Sequence, residues 1–289
     1  MLAVAGTVPD PSVPVLDAAV EIKADGRLLR VAGHDLPPDR GTPALLGAAV
    51  AACRFLGLDL PHAFLVGDEG LGKGSRALYE RMAEVLPGRN FSTLAFHYLQ
   101  PDVDWHNRVL FAAQSMVPVP ALIADAGFMY AAKMSGQAGE YGLFTPDAGE
   151  LAFLADEDAP HPFYTRGFIL QDEHRVPELI ARAYAHGNAA ACLLVKGGTD
   201  RVADRTGVLA EVSGPSVEAM EAMGGTGDTV TGMACALMEY GLPAPRAALI
   251  AAQANRYAGE AARPTPASQI GELIAHIPAA LGRALEELP

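Results

Sequence analysis

The chain has 289 residues, of which 50% are hydrophobic and 19% charged, with a formal net charge of −13. That is enough apolar material for a large core, and a charge balance that offers nucleic acid no basic face. No apolar run approaches the ~20 residues that span a bilayer, and Met1–Pro14 lacks the basic-then-apolar order of an export signal. A cytoplasmic protein is therefore expected, without membrane or nucleic acid as partner.

In chain order, a short strand is expected near Ala19–Ile22 and another at Leu28–Ala32, ended by Gly33-His34-Asp35 and a Pro37-Pro38 loop. Ala44–Phe55 is rich in alanine and leucine and reads as a buried helix capped by Gly57. Ala63–Val66 is a short apolar strand. The loop Gly67–Ser75 then resembles a phosphate-binding P-loop, with Gly67, Gly72 and Lys73 in place. Its required hydroxyl arrives one residue late, at Ser75, so a flexible loop over a substrate pocket is expected instead. A helix follows from about Arg76 to Leu86, a strand at Thr93–Tyr98 and a helix at Asp102–Met116 bearing the only tryptophan, Trp105.

Ala121–Ala124 is apolar and ends in Asp125. Open α/β sheets bind ligands outside the carboxyl ends of their strands, which makes Asp125 a candidate substrate contact. Leu143-Phe144 leads into Thr145–Glu150 and a short helix, Leu151–Leu154. Asp147 and Glu150 are read equally as substrate contacts and as first-turn helix caps. Glu157–Arg175 looks irregular, and Val176–His186 is helical with Pro177 at its start. Ala190–Val195 is a buried strand ended by Lys196-Gly197-Gly198-Thr199. A lysine and a hydroxyl there suit a nucleotide's phosphates, or form an ordinary turn. Arg201–Ala203 and Val208–Val212 pair as a hairpin, and Arg246–Ala262 and Ile270–Leu288 read as two final helices.

Met223–Tyr240 carries the chemistry. Val230, Met233, Ala234, Leu237 and Met238 share one face of a 3.6-residue period, with Gly241 as C-cap. The glycines before them stand at a helix N-terminus, where free N–H groups and the helix dipole favour an anion. Asp228 stands beside that hole, placed to take a proton from an attacking hydroxyl. The plainer alternative is a turn with an Asp cap. Cys53, Cys192 and Cys235 lie in apolar runs without metal or redox spacing, and read as buried hydrophobes in a reducing compartment. Eight scattered histidines form no HExxH pair, so no protein-held metal is expected. Strands and helices alternate throughout, which predicts one domain over 1–289 with a mostly parallel sheet covered on both faces.

Four segments, in this order, resemble the ribokinase-like superfamily and, more narrowly, the ADP/ATP-dependent NAD(P)H-hydrate dehydratase family. They are Ala124-Asp125-Ala126, Phe144–Glu150, Leu194–Thr199 and Gly224-Gly225-Thr226-Gly227-Asp228, with Tyr257–Ala262 and Ile277–Leu281 as a similar tail. The resemblance covers about residues 120–289. It implies a three-layer α/β/α fold, and ATP or ADP with Mg²⁺ near Lys196, Gly197 and Thr199. It also implies an anion hole of Gly225, Thr226 and Gly227, with Asp228 as catalytic base. In that family a nucleotide phosphorylates the hydroxyl of hydrated NADH or NADPH, and loss of the phosphate restores the nicotinamide ring.

Three departures leave the acceptor open. Asp147 stands where the family has His, Val217–Ala222 replaces an Asn-Pro-Gly-Met-like segment, and Ala32-Gly33-His34 replaces a Gly-Gly-Ser-like turn. A kinase of another small alcohol and a non-catalytic nucleotide-binding regulator on the same fold are therefore carried beside the dehydratase. The alanine-rich helices are compatible with a homo-oligomer.

Overall fold

In the computed structural model, which describes residues 1–23, 28–158 and 175–288, one 11-stranded sheet has the order β11-β10-β9-β8-β7-β6-β1-β5-β2-β3-β4. Its middle is parallel: β5 (His62–Gly67), β1 (Leu2–Val8), β6 (Thr93–His97), β7 (Ala121–Ala124), β8 (Leu143–Phe144) and β9 (Cys192–Val195). Both wings are antiparallel. β2 (Leu16–Ile22), β3 (Leu29–Val31) and β4 (His34–Leu36) extend one edge, and β10 (Asp200–Asp204) and β11 (Gly207–Val212) the other.

Parallel strands are buried on both faces, which is why they read as continuous apolar runs. In β1, Leu2 and Val4 pack into one core, with α1 (Gly41–Leu56), α7 (Thr226–Glu239), α8 (Ala244–Ala262), α9 (Ile270–Ile274) and α10 (Ile277–Glu287). Ala3 and Ala5 point the other way, into a core with α2 (Lys73–Val85), α3 (Val103–Gln114), α4 (Gly127–Met134), α5 (Ala148–Ala155) and α6 (Val176–Ala185). This is the three-layer, ribokinase-like arrangement with a mostly parallel centre.

The expected elements recur with small changes. The Gly33 turn does not end the edge: it joins β3 to β4 as a hairpin. α4 was not expected, and the final helix is two, because Pro278 sits in the first turn of α10 rather than inside a continuous helix. Most of Glu157–Arg175 lies outside the described residues. The three cysteines are buried and unpaired. Among the described residues no helix is long and apolar enough to cross a membrane.

One packing detail positions the site. α1 and α7 lie side by side, and Gly232 sits at their contact. A Cβ there would stand 2.2 Å from the Leu45 carbonyl oxygen, so only glycine allows the two helices to approach this closely. Their N-termini consequently arrive at the same place.

Candidate active site

Asp228 lies in the first turn of α7 and is 9% exposed. Its Oδ2 accepts the Gly41 N–H, at the start of α1, at 2.7 Å. Its Oδ1 lies 3.1 Å from His97 Nε2, at the carboxyl end of β6. Burial alone would raise the Asp228 carboxyl, but the hydrogen bond from His97, with Lys196 and the Gly41 N–H, holds it below the usual carboxylate range.

The turn before it is open. Gly225 has φ +99°, a conformation that a side chain disfavours. A Cβ on it would press at 3.2 Å on both Ala44 and Ile270. No side chain caps α7, so the N–H groups of Thr226, Gly227 and Asp228, the first three of the helix, have no partner within it, and a terminus of this kind can receive an anion. Asn255 on α8 braces the turn from behind. Its Nδ2 donates to the Thr226 carbonyl at 3.3 Å and its Oδ1 accepts from Thr229 Oγ1 at 2.7 Å.

Lys196 follows β9 and reaches back to the same point. Its Nζ donates to both oxygens of Asp125 at 2.9 Å, and its terminal atoms come within 3.6 Å of where a Cβ on Gly227 would stand. Burial favours the neutral amine, but Asp125, Glu150 and Asp228 hold the ammonium above its ordinary range. Asp125 is fixed further by Thr231 Oγ1 at 2.6 Å and by the Ala126 N–H at 2.8 Å. His97, Asp125 and Asp228 bring ligand atoms within 4.8 Å of one another. The ammonium of Lys196 already supplies that cluster's positive charge, so it is a poor metal site.

The backbone is strained here. Tyr98 and Ala126, directly after β6 and β7, have φ +51° and +52°. Non-glycine residues rarely adopt such values, and they tend to gather at functional sites.

Two lobes meet at Asp228. One, about 780 Å³, is lined by Arg40, Tyr98, Gln100 and Tyr130 among others. The second, about 640 Å³, is lined by Lys196, Gly197, Asp147, Thr226 and Arg256 among others. Tyr98, Ala126, Glu150, Gly225 and Asp228 border both.

The remaining expected residues divide. Asp147 and Glu150 form a capping box at the start of α5, with both bonds at 2.8 Å, and they also border the second lobe. The capping reading is therefore the one that the structure shows. Burial, with Asp125 and Asp147 nearby, raises the Glu150 carboxyl against the pull of Lys196. Gly197 borders the lobe, but its N–H is already given to Asp200 Oδ1 at 3.1 Å. Thr199 does not line the lobe. Of the departures, Val217, Met220 and Glu221 line the second lobe, whereas the Ala32–His34 turn lines neither.

Four residues escaped the sequence reading: His97, Thr42, Asn255 and Arg256. Arg256 pairs with buried Asp200 and donates to the Gly197 and Gly198 carbonyls at 3.1 and 2.9 Å. Neighbouring residues of α8 thus hold both glycine turns of the second lobe.

The Gly67–Ser75 loop is no phosphate cradle. Asp68 fills it, accepting the N–H groups of Gly70, Leu71, Gly72 and Ser75 at 2.8–3.1 Å, and the Ser75 hydroxyl at 2.8 Å. At Gly74, where a P-loop needs its hydroxyl residue, a Cβ would stand 2.1 Å from the Gly67 carbonyl oxygen. The loop does border the first lobe, through Asp68, Gly70 and Ser75.

Comparison with known proteins gives the family and agrees with the fold. The profile of the NAD(P)H-hydrate dehydratase family matches residues 101–278. An uncharacterized protein of Methanocaldococcus jannaschii is 35% identical over 243 residues, 84% of this chain and 100% of its own length. A ribokinase-like superfamily protein of Enterococcus faecalis superposes with a TM-score of 0.60 at 13% identity, covering 98% of this chain and 87% of its own. Pyridoxal kinase of Staphylococcus aureus, in complex with AMP-PCP and pyridoxal, does so with a TM-score of 0.52 at 10% identity, covering 88% and 87%. At those identities the structures speak for the fold alone. The family match spans more than half the chain, and the chain belongs to the NAD(P)H-hydrate dehydratase family of ribokinase-like enzymes.

Proposed function

We propose that this family member is a nucleotide-dependent phosphoryl-transfer enzyme, and specifically an ADP/ATP-dependent NAD(P)H-hydrate dehydratase with Asp228 as its base. The observation that carries the reading is the position of Asp228. It stands where two lobes meet, ionised, beside three open N–H groups and one ammonium.

The 640 Å³ lobe takes the nucleotide and the 780 Å³ lobe the hydroxyl-bearing acceptor. Asp228 accepts the acceptor's hydroxyl proton, and that oxygen attacks the terminal phosphorus. The bond to the leaving nucleotide oxygen breaks. The N–H groups of Thr226, Gly227 and Asp228 carry the negative charge on the transferring group. Lys196 belongs with that group rather than with the nucleotide's far end, since its ammonium lies beside Asp125 and Gly227. Loss of the phosphate from the new ester, together with a proton from the neighbouring ring carbon, then restores the double bond of the nicotinamide ring.

Mg²⁺ fits the site. Asp125, Glu150 and Asp228 act on one ammonium, and burial, with Asp125 and Asp147 nearby, raises the Glu150 carboxyl. Glu150 and Asp147 are oxygen donors at the lobe's edge, suited to a hard cation. When bound, Mg²⁺ supplies charge neutralisation on the phosphate oxygens.

A kinase of another small alcohol is the second reading, kept because the departures from the family pattern at Asp147, Val217, Met220 and Glu221 fall in the lobe given to the nucleotide and so do not single out the acceptor. Recovery of NADH absorbance from hydrated NADH, with ATP or ADP and Mg²⁺, decides between them. Recovery by the wild type and not by Asp228→Asn supports the dehydratase. Nucleotide binding without recovery points to another acceptor.

A further inference from the structure

The mechanism above leaves His97 without a task, although it is 0% exposed and touches the base. Both ring nitrogens are engaged. Nδ1 lies 3.0 Å from Thr42 Oγ1, and Nε2 lies 3.1 Å from Asp228 Oδ1. An ionised carboxylate only accepts, so Nε2 carries the hydrogen and donates. In the neutral ring Nδ1 then accepts the Thr42 hydroxyl. Thr42 follows Gly41, whose N–H donates to the other oxygen of the same carboxylate at 2.7 Å. The start of α1 therefore grips both oxygens of Asp228, once directly and once through Thr42 and the imidazole. The Tyr98 ring packs against the imidazole, with centroids 4.2 Å apart and planes inclined at 68°.

We propose, resting on the assignment of Asp228 as base, that His97 is its positioning residue: it fixes the carboxylate's rotamer and keeps it ionised while one lone pair stays open to the acceptor hydroxyl. No atom of His97 contacts the reacting groups in this scheme. The charged and titratable groups facing the pair are Asp125, whose Oδ2 lies 3.9 Å from Nε2, Lys196 from the end of β9, Glu150 from α5 and Tyr98 from the end of β6. Of these only Lys196 helps to hold Asp228 ionised. Removing the imidazole therefore leaves a buried carboxylate with the ammonium and one N–H.

Two substitutions separate this role from simple packing. His97→Gln keeps an amide donor near the Nε2 position, and His97→Leu removes it. With hydrated NADH and ATP or ADP, His97→Leu should lower kcat about 10- to 100-fold, the size of one charge-assisted hydrogen bond. The nucleotide KM should stay unchanged, and the acid limb of the kcat/KM profile should move to higher pH. His97→Gln should retain most of kcat and the wild-type acid limb. Thr42→Val, nearly isosteric, should show a smaller fall of the same kind. A wild-type pH profile in His97→Leu would overturn the proposal, as would a His97→Gln variant equally impaired with the same profile.

A second measurement needs no turnover. Nitrogen-15 NMR of the free protein should show His97 as the Nε2–H tautomer, and Asp228→Asn should change its signal. The Nδ1–H tautomer would overturn the proposal whatever the acceptor proves to be. If Asp228→Asn stays fully active, the base assignment falls and this inference with it. If Asp228→Asn is dead and His97→Leu is normal, only this inference falls.

Discussion

The chain contains two glycine-rich turns that each precede a helix and each carry one aspartate, Gly67–Ser75 and Gly224–Asp228. Their backbones offer the same thing, a cluster of N–H groups at a helix N-terminus. They differ in where the aspartate points. Asp68 stands near the start of its loop and folds back, accepting four of the loop's own N–H groups. Asp228 follows its loop and points away, to Gly41 and His97. The first nest is filled by the protein's own carboxylate, and in the second no side chain caps the helix. A glycine-rich turn is thus a ligand site only where no side chain has taken the anion's place.

That contrast can be tested by substitution. Asp228→Asn should have the largest effect, lowering kcat about 10²- to 10⁴-fold, the usual range for a general base. Its nucleotide Kd, read by calorimetry, should be unchanged because the N–H groups remain. Lys196→Ala should come next, with about tenfold or greater loss in kcat and a weaker effect on nucleotide Kd. An unchanged kcat would separate the ammonium from the transferring phosphoryl group. Asp68→Ala should leave turnover and nucleotide Kd near wild type but cost about 1 kcal/mol of stability, since it strands several donors in a half-exposed loop. A large loss of nucleotide affinity there would contradict the filled-nest reading.

The smallest effect concerns pH. The Glu150 carboxyl is raised in the folded protein, so folding favours its protonated form. Its contribution therefore becomes less favourable as pH rises from the unfolded carboxylate's range through the folded one. Glu150→Gln should raise Tm relative to wild type more at mildly alkaline than at acidic pH, by thermal melts without ligand. Added Mg²⁺ and nucleotide should shrink that difference. A gain equal at both pH values would contradict a raised Glu150 carboxyl.

What could be read from the sequence follows the range of the forces involved. α1, α6, α7 and α8 announce themselves through local periodicity, and β5, β6, β7 and β9 through apolar runs, because both signals are written in consecutive residues. α4 did not, since Phe128, Met129, Ala131 and Ala132 bury several of its sides and its N-cap is an alanine with φ +52° rather than a capping side chain. Pro278 could have marked the break before α10, by the ordinary rule for proline inside a helix, but the sequence reading ran one helix over Ile270–Leu288. In the site, Asp228, Lys196 and Asp125 stood out as ionisable residues at strand or helix ends. His97 ends a strand in the same way and could have been chosen by that criterion. Its partnership with Thr42 and Asp228 could not, because it links positions 55 and 131 residues apart. Asn255 and Arg256 act from the middle of an apolar helix, where sequence gives no hint of what they face.

The contact at Gly232 has a consequence for how this protein tolerates change. It lies nearly two helical turns from Gly225, about 10 Å along α7, and borders neither lobe. Any side chain there acts as a wedge at the pivot of a lever whose far end carries the Gly225 turn and Asp228. A survey of random variants should therefore find a seam of inactivating positions running down the α1–α7 contact, in folded proteins whose pockets are chemically intact. Along that seam, catalytic alignment is limited by the thickness of a methyl group.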